Sequence, residues 1–382
     1  MQISTHLHRI RVDFKATEEI ERFVYLYLIV SKGVHIIDTG VAGTEKIIED
    51  YLKKIGRSTS DVKSILLTHS HPDHIGGAHK IKESSGCAVY ASETERAWIE
   101  DIDKQFAERP IPNFHTLLNE SVAVDKAIKD NDILTLEDGI TIKVIDTKGH
   151  SAGSLSFLWI EEGELFTGDS IPVSGDLPIY VSAADSIETL RKILSLNGVK
   201  RYLSAWDDIC DKKTGKEKIE RSLEFLMLID NTVKDVLADQ VDGDMEGTFA
   251  KVCTILDVGR FVQNPLFKTS IYANIRERMH KTPAFFIIST KKGDASKRNQ
   301  YEEYLERVKP IVEKYGGEYI VRSERVISFS ESWKPDRVIV IKFASKEHVF
   351  KWLSSPEYKE IMQLRTDSVE SDGVIVEEEG NI

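Results

Sequence analysis

The sequence predicts a mixed α/β protein (α+β in arrangement) with two domains and a helical segment between them. Up to residue 210, short β-branched runs alternate with runs whose apolar residues recur at helical spacing. From residue 211 to 281 the pattern is mostly helical. From residue 282 onward the elements follow the order βαββαβ, which is typical of a small ferredoxin-like domain. These three observations together indicate the fold class.

The chain begins with predicted strands. Residues 3–38 contain three β-branched or aromatic runs separated by turn residues. The third run ends at Asp38-Thr39-Gly40, and Thr44–Ile55 has the apolar spacing of an amphipathic helix. From the residues alone, we expect Asp38 to form a tight turn before this helix.

The most informative stretch is the turn from Thr68 to Gly77, which follows the buried-strand pattern of Val62–Leu67. It carries four metal-capable side chains within six residues, namely His69, His71, Asp73 and His74. Residues two apart in an extended segment point the same way, so the first two histidines can reach one ion. The other two side chains follow the bend and can hold a second ion. Imidazole and carboxylate ligands suit zinc, iron and manganese.

This HxHxDH turn resembles that of the metallo-β-lactamase-fold hydrolases, and two later motifs follow in the family's order. They are Gly149-His150-Ser151 and Gly168-Asp169-Ser170, each at the end of a predicted strand. The resemblance implies an αββα sandwich over residues 1–210, with residues 211–281 as a helical extension packing on it. It also implies that His150 joins the first metal position and that Asp169 bridges to the second. Asp38 would then support the metal turn without being a ligand itself. Zinc, as one or two ions, is the implied cofactor, with iron or manganese as other candidates.

One position departs from the family's pattern. The last metal-binding histidine of the family is replaced by tryptophan, in Ser204-Ala205-Trp206. An indole is only a hydrogen-bond donor and cannot bind a metal through its nitrogen. Either Asp207 or Asp208 supplies a substitute carboxylate, or the site holds a single ion.

The segment from Ser92 to Asp130 has an irregular pattern. The resemblance implies that an insertion here covers the site and shapes substrate choice, and the alternative is a peripheral helical excursion. His115 lies in this segment, and it is either a pocket residue or a structural one; we interpret it as structural, because that is the commoner role of a lone histidine.

Composition narrows the functional classes. The net charge of −12 argues against a nucleic-acid surface. No uncharged apolar stretch approaches the ~20 residues of a membrane span, and no signal-peptide pattern is visible at Met1. The three cysteines show no CxxC pairing, which is typical of a reducing compartment. We therefore expect a cytoplasmic protein with a small-molecule substrate.

The domain predicted over residues 282–382 resembles, from 283 to 380, a family of small dimeric α/β-barrel proteins of uncharacterised function. The resemblance rests on the run from Phe343 through Ser355-Pro356 to Arg365. It implies that this domain pairs two chains into a homodimer. Arg322 and Arg365 are its candidate polar residues, for an anion or for a structural salt bridge.

The metal-ligand set predicts a hydrolase. A bound metal lowers the pKa of its water towards ~7 and polarises the bond under attack. We expect Asp73 to orient the attacking water. A small ester, thioester or lactone is the expected substrate, and phosphodiester hydrolysis is an alternative that the scaffold also supports. Two other classes remain open: a persulfide dioxygenase-like oxidoreductase with one iron at His69, His150 and Asp169, and a non-catalytic metal sensor.

Overall fold

The computed structural model describes residues 1–173, 175–238, 244–259, 262, 264–281, 283–291, 293 and 295–378. The chain divides into two compact units, Met1–Asn274 and Ile275–Ile382. The three-part division expected from the sequence stays a prediction, and its boundary residue 282 lies outside the described residues.

The first unit contains two six-stranded sheets. The first sheet has the order β1-β2-β3-β4-β5-β6, antiparallel from β1 to β3 and parallel from β3 to β6. Its strands are β1 Leu7–Lys15, β2 Glu21–Val30, β3 Val34–Ile37, β4 Val62–Leu66, β5 Ala88–Ser92 and β6 Lys126–Ile128. The helices between these strands are α1 Thr44–Lys54, α2 Pro72–Ile75, α3 Ala78–Ser85, α4 Glu93–Glu100, α5 Ile102–Glu108 and α6 Phe114–Leu117.

The second sheet has the order β12-β11-β10-β9-β8-β7. Its strands are β7 Ile133–Glu137, β8 Ile140–Asp146, β9 Leu155–Trp159, β10 Glu164–Gly168, β11 Arg201–Ser204 and β12 Cys210–Asp211. Helix α7, Ala183–Ser195, crosses from β10 to β11, which pair in parallel. Strands β9 and β10 are buried along their whole length, as expected for strands covered on both faces.

The two sheets pack face to face with helices outside, which confirms the predicted αββα sandwich. Between the sheets, Tyr27 of β2 and Phe166 of β10 belong to one buried cluster, with their ring centroids 5.4 Å apart. On the outer face of the first sheet, Ile48 and Leu52 of α1 enter a second cluster. Helix α7 covers the second sheet in the same way, through Leu190. Burial of these apolar faces is the main force that holds the layers together.

Within the part of the chain that the structure describes, three α-helices follow the second sheet. They are α8 Lys212–Ala238, α9 Met245–Ile255 and α10 Pro265–Lys281. Ile219 and Leu226 of α8 pack into the cluster outside the second sheet, so this helix extends the outer layer. The mostly helical pattern expected after residue 211 agrees with these elements.

The second unit forms a four-stranded antiparallel sheet with the order β14-β15-β13-β16. Along the chain its elements are β13 Ala284–Lys291, α11 Arg298–Lys314, β14 Glu318–Ser323, β15 Arg337–Phe343, α12 Lys346–Leu353, α13 Pro356–Thr366 and β16 Glu370–Glu377. This is the predicted βαββαβ order, with the second helix divided in two at Ser355-Pro356. One face of the sheet packs against the helices through Phe343, Val312 and Trp352.

Within the described residues, no helix combines the length and the apolar character that crossing a bilayer requires.

Candidate metal centre

The turn after β4 carries the four clustered side chains predicted as ligands. His69 and His71 follow the buried strand, and Pro72 then begins α2, which holds Asp73 and His74. Proline suits the first helical position because its missing N–H has no intrahelical partner there. The change from extended chain to helix therefore sends the two pairs of side chains in different directions.

Gly76 allows this turn to lie close to two other segments. A Cβ at this position would lie 2.3 Å from the backbone nitrogen of Ala42 and 2.6 Å from the carbonyl oxygen of Leu117. Real Cβ atoms do not approach backbone atoms this closely, so the packing of the metal turn requires glycine here.

Three imidazoles meet at the centre of the site, from His69, His71 and His150. His150 comes from the turn after β8, and its Nδ1 donates a hydrogen bond of 2.8 Å to the carbonyl oxygen of Ile179. This bond directs Nε2 inward, where it lies 2.9 Å from Nδ1 of His71. One ring nitrogen from each of the three histidines lies within 4.8 Å of the others. This is a possible three-histidine metal site.

A second ligand group shares one histidine with the first. His69, His74 and Asp169 each place one ligand atom within 4.8 Å of the other two. Nε2 of His74 lies 3.2 Å from Oδ1 of Asp169 and 3.6 Å from Oδ2 of Asp73. The structure therefore brings together all six residues that the motifs predicted, with Asp73 at the edge of the second group.

The ring nitrogens and the carboxylate oxygen of the two ligand groups are suitable ligands for a metal ion. Nε2 of His69 is buried and has no hydrogen-bond partner among the described residues. Nε2 of His74 and Oδ1 of Asp169 are also buried, and although they lie 3.2 Å apart they form no well-aligned hydrogen bond. Buried polar atoms are almost always well paired, so this cluster of poorly satisfied ligand atoms fits a bound cation. Imidazole nitrogens with one carboxylate oxygen match the preferences of zinc, iron and manganese.

The pKa shifts in the cluster favour neutral imidazoles for the three histidines of the first ligand group. Burial, reinforced by neighbouring cationic groups, holds the pKa of His69 and of His71 well below the usual value. Burial also lowers the pKa of His150. The pKa of His74 is instead raised well above its usual value, because the carboxylates around it outweigh the effect of burial. Neutral imidazoles have the free lone pair that a metal requires.

Asp38 supports the metal turn from the end of β3. Its Oδ1 accepts a 2.7 Å hydrogen bond from the backbone N–H of Thr68, and its Oδ2 accepts one of the same length from the Thr68 hydroxyl. Nδ1 of His74 donates to Oδ2 as well, at 2.9 Å. This last bond fixes the ring so that Nε2 faces the ligand cluster. Asp38 thus has the supporting role that the sequence predicted.

Glu95 links the two loops that supply the first ligand group. Its side chain is buried, and one carboxylate oxygen accepts hydrogen bonds from the backbone N–H and the hydroxyl of Ser70, between His69 and His71. The other oxygen accepts from the Ser151 hydroxyl at 2.7 Å and from the Gly153 N–H at 2.6 Å, just after the third histidine. Glu95 therefore sets the distance between the two loops.

Two further residues at the site escaped the sequence prediction, and both come from α5 and its C-terminal end. Gln105 is fully buried and donates a 2.7 Å hydrogen bond to the carbonyl oxygen of Ser70. Arg109 interacts electrostatically with Asp73 and Asp169, and burial lowers the pKa of its guanidinium. The segment expected to cover the site therefore contributes to it directly. Its only sequence signal was its position after the metal turn.

Trp206 occupies the place of the missing ligand. Its indole Nε1 donates a 2.9 Å hydrogen bond to Oδ2 of Asp169. Asp207 is outside both ligand groups and forms a 2.6 Å ion pair with Lys218. Asp208 is 80 % exposed and pairs with Arg9. The structure brings neither carboxylate into the cluster, so the substitution of a carboxylate for the histidine finds no support in the geometry.

His115 is also outside the cluster. Its ring lies against those of Phe106 and Phe114, at centroid distances of 4.8 and 5.2 Å. This packing agrees with the structural role expected for it.

Comparison with known families gives matches in both units. Residues 20–205 match the metallo-beta-lactamase superfamily. Residues 283–379 match a domain of unknown function, DUF1330.

Among curated proteins, the hydroxyacylglutathione hydrolase GloC of Haemophilus influenzae is 30% identical over 173 residues, covering 44% of this chain and 76% of that protein. The beta-lactamase-like protein 2 homolog of Caenorhabditis elegans is 27% identical over 206 residues, covering 53% of this chain. The match spans 61% of that relative's length. Among solved structures, a metallo-beta-lactamase family protein of Thermus thermophilus aligns with a TM-score of 0.55 at 20% identity, covering 77% of this chain and 97% of that one. The last likeness concerns the fold alone.

Proposed function

The chain belongs to the metallo-beta-lactamase superfamily of metallo-hydrolases, and we propose that it hydrolyses a small thioester, with oxygen esters and lactones as the related substrate classes. The observation that carries this proposal is the convergence of His69, His71 and His150 on one point, beside the second group of His74 and Asp169. Zinc is the proposed metal, because it prefers this combination of nitrogen and oxygen ligands.

Each residue has a defined task in the proposed reaction. The three imidazoles of the first group hold the ion, which when bound acts as a Lewis acid and lowers the pKa of a coordinated water. Asp73 orients the attacking water by accepting its hydrogen bond. Burial raises the pKa of Asp73, so its carboxylate accepts a proton more readily than an exposed aspartate does.

Two observations favour a thioester with an anionic group. An acyl group on glutathione is a thioester, and two similar curated proteins are named hydroxyacylglutathione hydrolases. In addition, the guanidinium of Arg109 lies within electrostatic range of Asp73 and Asp169, at the side of the ligand cluster. A guanidinium binds carboxylates well because its planar donors match their two oxygens.

The proposal is tested with protein freed of metal by a chelator and then reloaded with zinc. We expect the reloaded protein to release free thiol from a hydroxyacylglutathione thioester, and the chelated protein to release none. Asp73→Asn is expected to lower kcat by about 10²-fold or more, the usual contribution of a positioned general base. If the reloaded protein cleaves neither thioesters nor oxygen esters nor lactones, the proposed substrate class is wrong.

Trp206 favours one tightly held ion, because its indole supplies no ligand to the second group and instead donates to Oδ2 of Asp169. We therefore expect about one zinc per chain in the wild-type protein after dialysis, at the three-histidine group. Trp206→His is expected to restore a nitrogen ligand beside Asp169 and His74 and to raise the zinc content towards two per chain. Inductively coupled plasma mass spectrometry of the dialysed proteins measures the zinc content per chain of the wild type and of the variant.

Trp206→Phe is the matched control, since it keeps an aromatic ring and removes the donor without adding a ligand. It is expected to leave the zinc content at the wild-type value. Equal zinc content in the histidine and phenylalanine variants would show that this position does not limit the second ion.

We also propose that the second unit pairs two copies of the chain. The sheet face opposite the helices carries seven apolar side chains, of which Val374 is 56% and Val376 45% exposed. The set is Phe285, Ile287, Val321, Val338, Val340, Val374 and Val376. Lys342 and Asp372 lie on the same face, at its margins. An exposed group of apolar side chains with polar neighbours is typical of a surface that a partner covers. A second copy is the proposed partner because a sheet face of this kind is self-complementary.

Light scattering coupled to size-exclusion chromatography tests the pairing. The wild-type protein is expected to have the mass of two chains at micromolar concentration, and the double variant Val374→Lys/Val376→Lys the mass of one, because charges cannot be buried unpaired. Met362→Lys on α13, where the native side chain is 40% exposed, is the control and is expected to remain dimeric. A monomeric wild-type protein would contradict the proposal.

A further inference from the structure

The second unit contains a small cavity between its sheet and its helices, and all of its lining residues belong to that unit. The space open to the centre of a water-sized sphere is about 20 Å³, enough for roughly one water or one small polar group. The residues that line it are mostly apolar and aromatic, with two arginines, Arg322 and Arg365. No aspartate or glutamate is among the lining residues.

Trp352 presents an unsatisfied donor at this cavity. Its side chain is 1% exposed, and its Nε1–H has no hydrogen-bond partner within the part of the chain that is described. The indole is held by three aromatic rings, those of Phe286, Phe343 and Tyr358, with centroids 4.7 to 5.5 Å away. The ring therefore cannot turn to find an acceptor elsewhere. A buried N–H without an acceptor is costly, so an acceptor is expected in the cavity.

Arg365 presents a second unsatisfied donor at the same cavity. Its Nη1 donates to the hydroxyl of Ser371, but its Nε–H is buried and unpaired among the described residues. None of the described carboxylates forms an ion pair with Arg365 or Arg322 within 4.0 Å, whereas the exposed Arg298 of α11 pairs with Glu302 at 3.1 Å. A partly buried guanidinium usually has an anionic partner, since an unpaired buried charge is strongly unfavourable.

We propose that this cavity binds the carboxylate head group of a small organic acid, held by Arg365, Trp352 and Arg322. One carboxylate oxygen fits the enclosed space, where it accepts from the Arg365 Nε–H and the Trp352 Nε1–H. The rest of the acid extends towards Arg322, whose side chain is exposed. The guanidinium carbon of Arg322 lies 5.8 Å from the ring centroid of Tyr319, and both residues line the cavity.

The unpaired hydrogen-bond donors at the cavity favour a carboxylate over a neutral ligand. The two unpaired groups are both donors, and one of them carries a positive charge, so the complement is an acceptor with a negative charge. A carboxylate places one oxygen between the two unpaired donors and directs its second oxygen towards Arg322, whereas a halide ion has a single atom and cannot do both.

Isothermal titration calorimetry of the full-length protein with sodium formate, in a buffer free of chloride and carboxylates, tests the proposal. The wild-type protein is expected to bind one formate per chain saturably. Arg365→Gln and Arg322→Gln are each expected to raise the Kd about tenfold or more, because each removes a charge-assisted interaction. Trp352→Phe, which keeps a ring and removes the N–H, is expected to raise it by about threefold or more.

Arg298→Gln is the matched control, because it removes an arginine from the same unit that already has a carboxylate partner. It is expected to leave the formate Kd unchanged. A parallel titration with sodium bromide distinguishes a carboxylate site from a general halide site.

Saturable formate binding that the three cavity variants weaken and the control does not would support the site. Should Arg365→Gln fail to fold, as judged by circular dichroism, the exposed Arg322→Gln and the ring-preserving Trp352→Phe carry the test alone. Bromide binding without formate binding would overturn the carboxylate assignment. The absence of saturable formate binding to the wild-type protein, or equal binding by all variants, would overturn the proposal.

Discussion

Replacement of His69 by alanine is expected to remove the bound zinc and abolish most hydrolytic activity. His69 is the histidine shared by both ligand groups, so its loss leaves each group with two ligands. Lewis-acid stabilisation by a metal contributes several kcal/mol, which corresponds to a fall in kcat/KM on the order of 10³-fold. Zinc content per chain and the thioester hydrolysis rate, measured on the same sample, check the expectation.

His79→Ala provides the control for this variant. His79 lies ten residues further along, in α3, and its Nδ1 bonds to the carbonyl oxygen of Ser121 at 2.6 Å, outside both ligand groups. It is expected to keep wild-type zinc content and activity. A His69→Ala protein that is folded and still retains its zinc would contradict the assignment of the ligands.

Glu95→Gln is expected to weaken zinc binding by about 10- to 100-fold while leaving every proposed ligand in place. The carboxylate accepts four hydrogen bonds from the two ligand loops. A glutamine would turn one acceptor oxygen into an NH₂ donor that faces other donors, and the two loops would separate. The affinity is measured by competition with a chromophoric zinc chelator.

Glu93→Gln is the comparison for this second variant. Glu93 lies two residues earlier on the same helix, with a side chain 71% exposed and 3.6 Å from Arg96. We expect its zinc affinity to equal that of the wild-type protein. If Glu95→Gln also kept wild-type affinity, the loops would be positioned by other contacts and Glu95 would have no positioning role.

The ligand residues were predictable from the sequence because of where the chain places them. His69, His71, Asp73 and His74 are neighbours along the chain, and the strand-to-helix change sets their directions. For these four residues local geometry carries most of the information. The αββα sandwich and the ligand roles of His150 and Asp169 were expected from the resemblance to the metallo-β-lactamase fold.

The supporting residues could not be predicted in this way. Glu95 contacts Ser70 and Gly153, which are 25 and 58 residues away along the chain. Such contacts depend on how the layers pack, and a lone glutamate in a sequence carries no sign of them. Helices α4, α5 and α6 are also only four to eight residues long, too short for a periodic apolar pattern to become visible.

Trp206 shows what could and what could not be predicted from the sequence. Its position after β11 showed that the last histidine ligand of the family is absent. Asp207 was a reasonable substitute ligand only as long as the interaction partner of Asp207 was unknown. The structure pairs Asp207 with Lys218, a residue of α8. The indole instead donates to Asp169, a contact between side chains 37 residues apart. The order of residues alone does not reveal which of two adjacent side chains turns towards the site.

Anomalous diffraction at the zinc absorption edge, from crystals of the zinc-loaded protein, tests the central claim most directly. The account predicts a strong anomalous peak enclosed by the imidazoles of His69, His71 and His150. A dataset with no peak at that point, or with its strongest peak beside Asp207, would contradict the proposed metal centre and the hydrolytic function that depends on it.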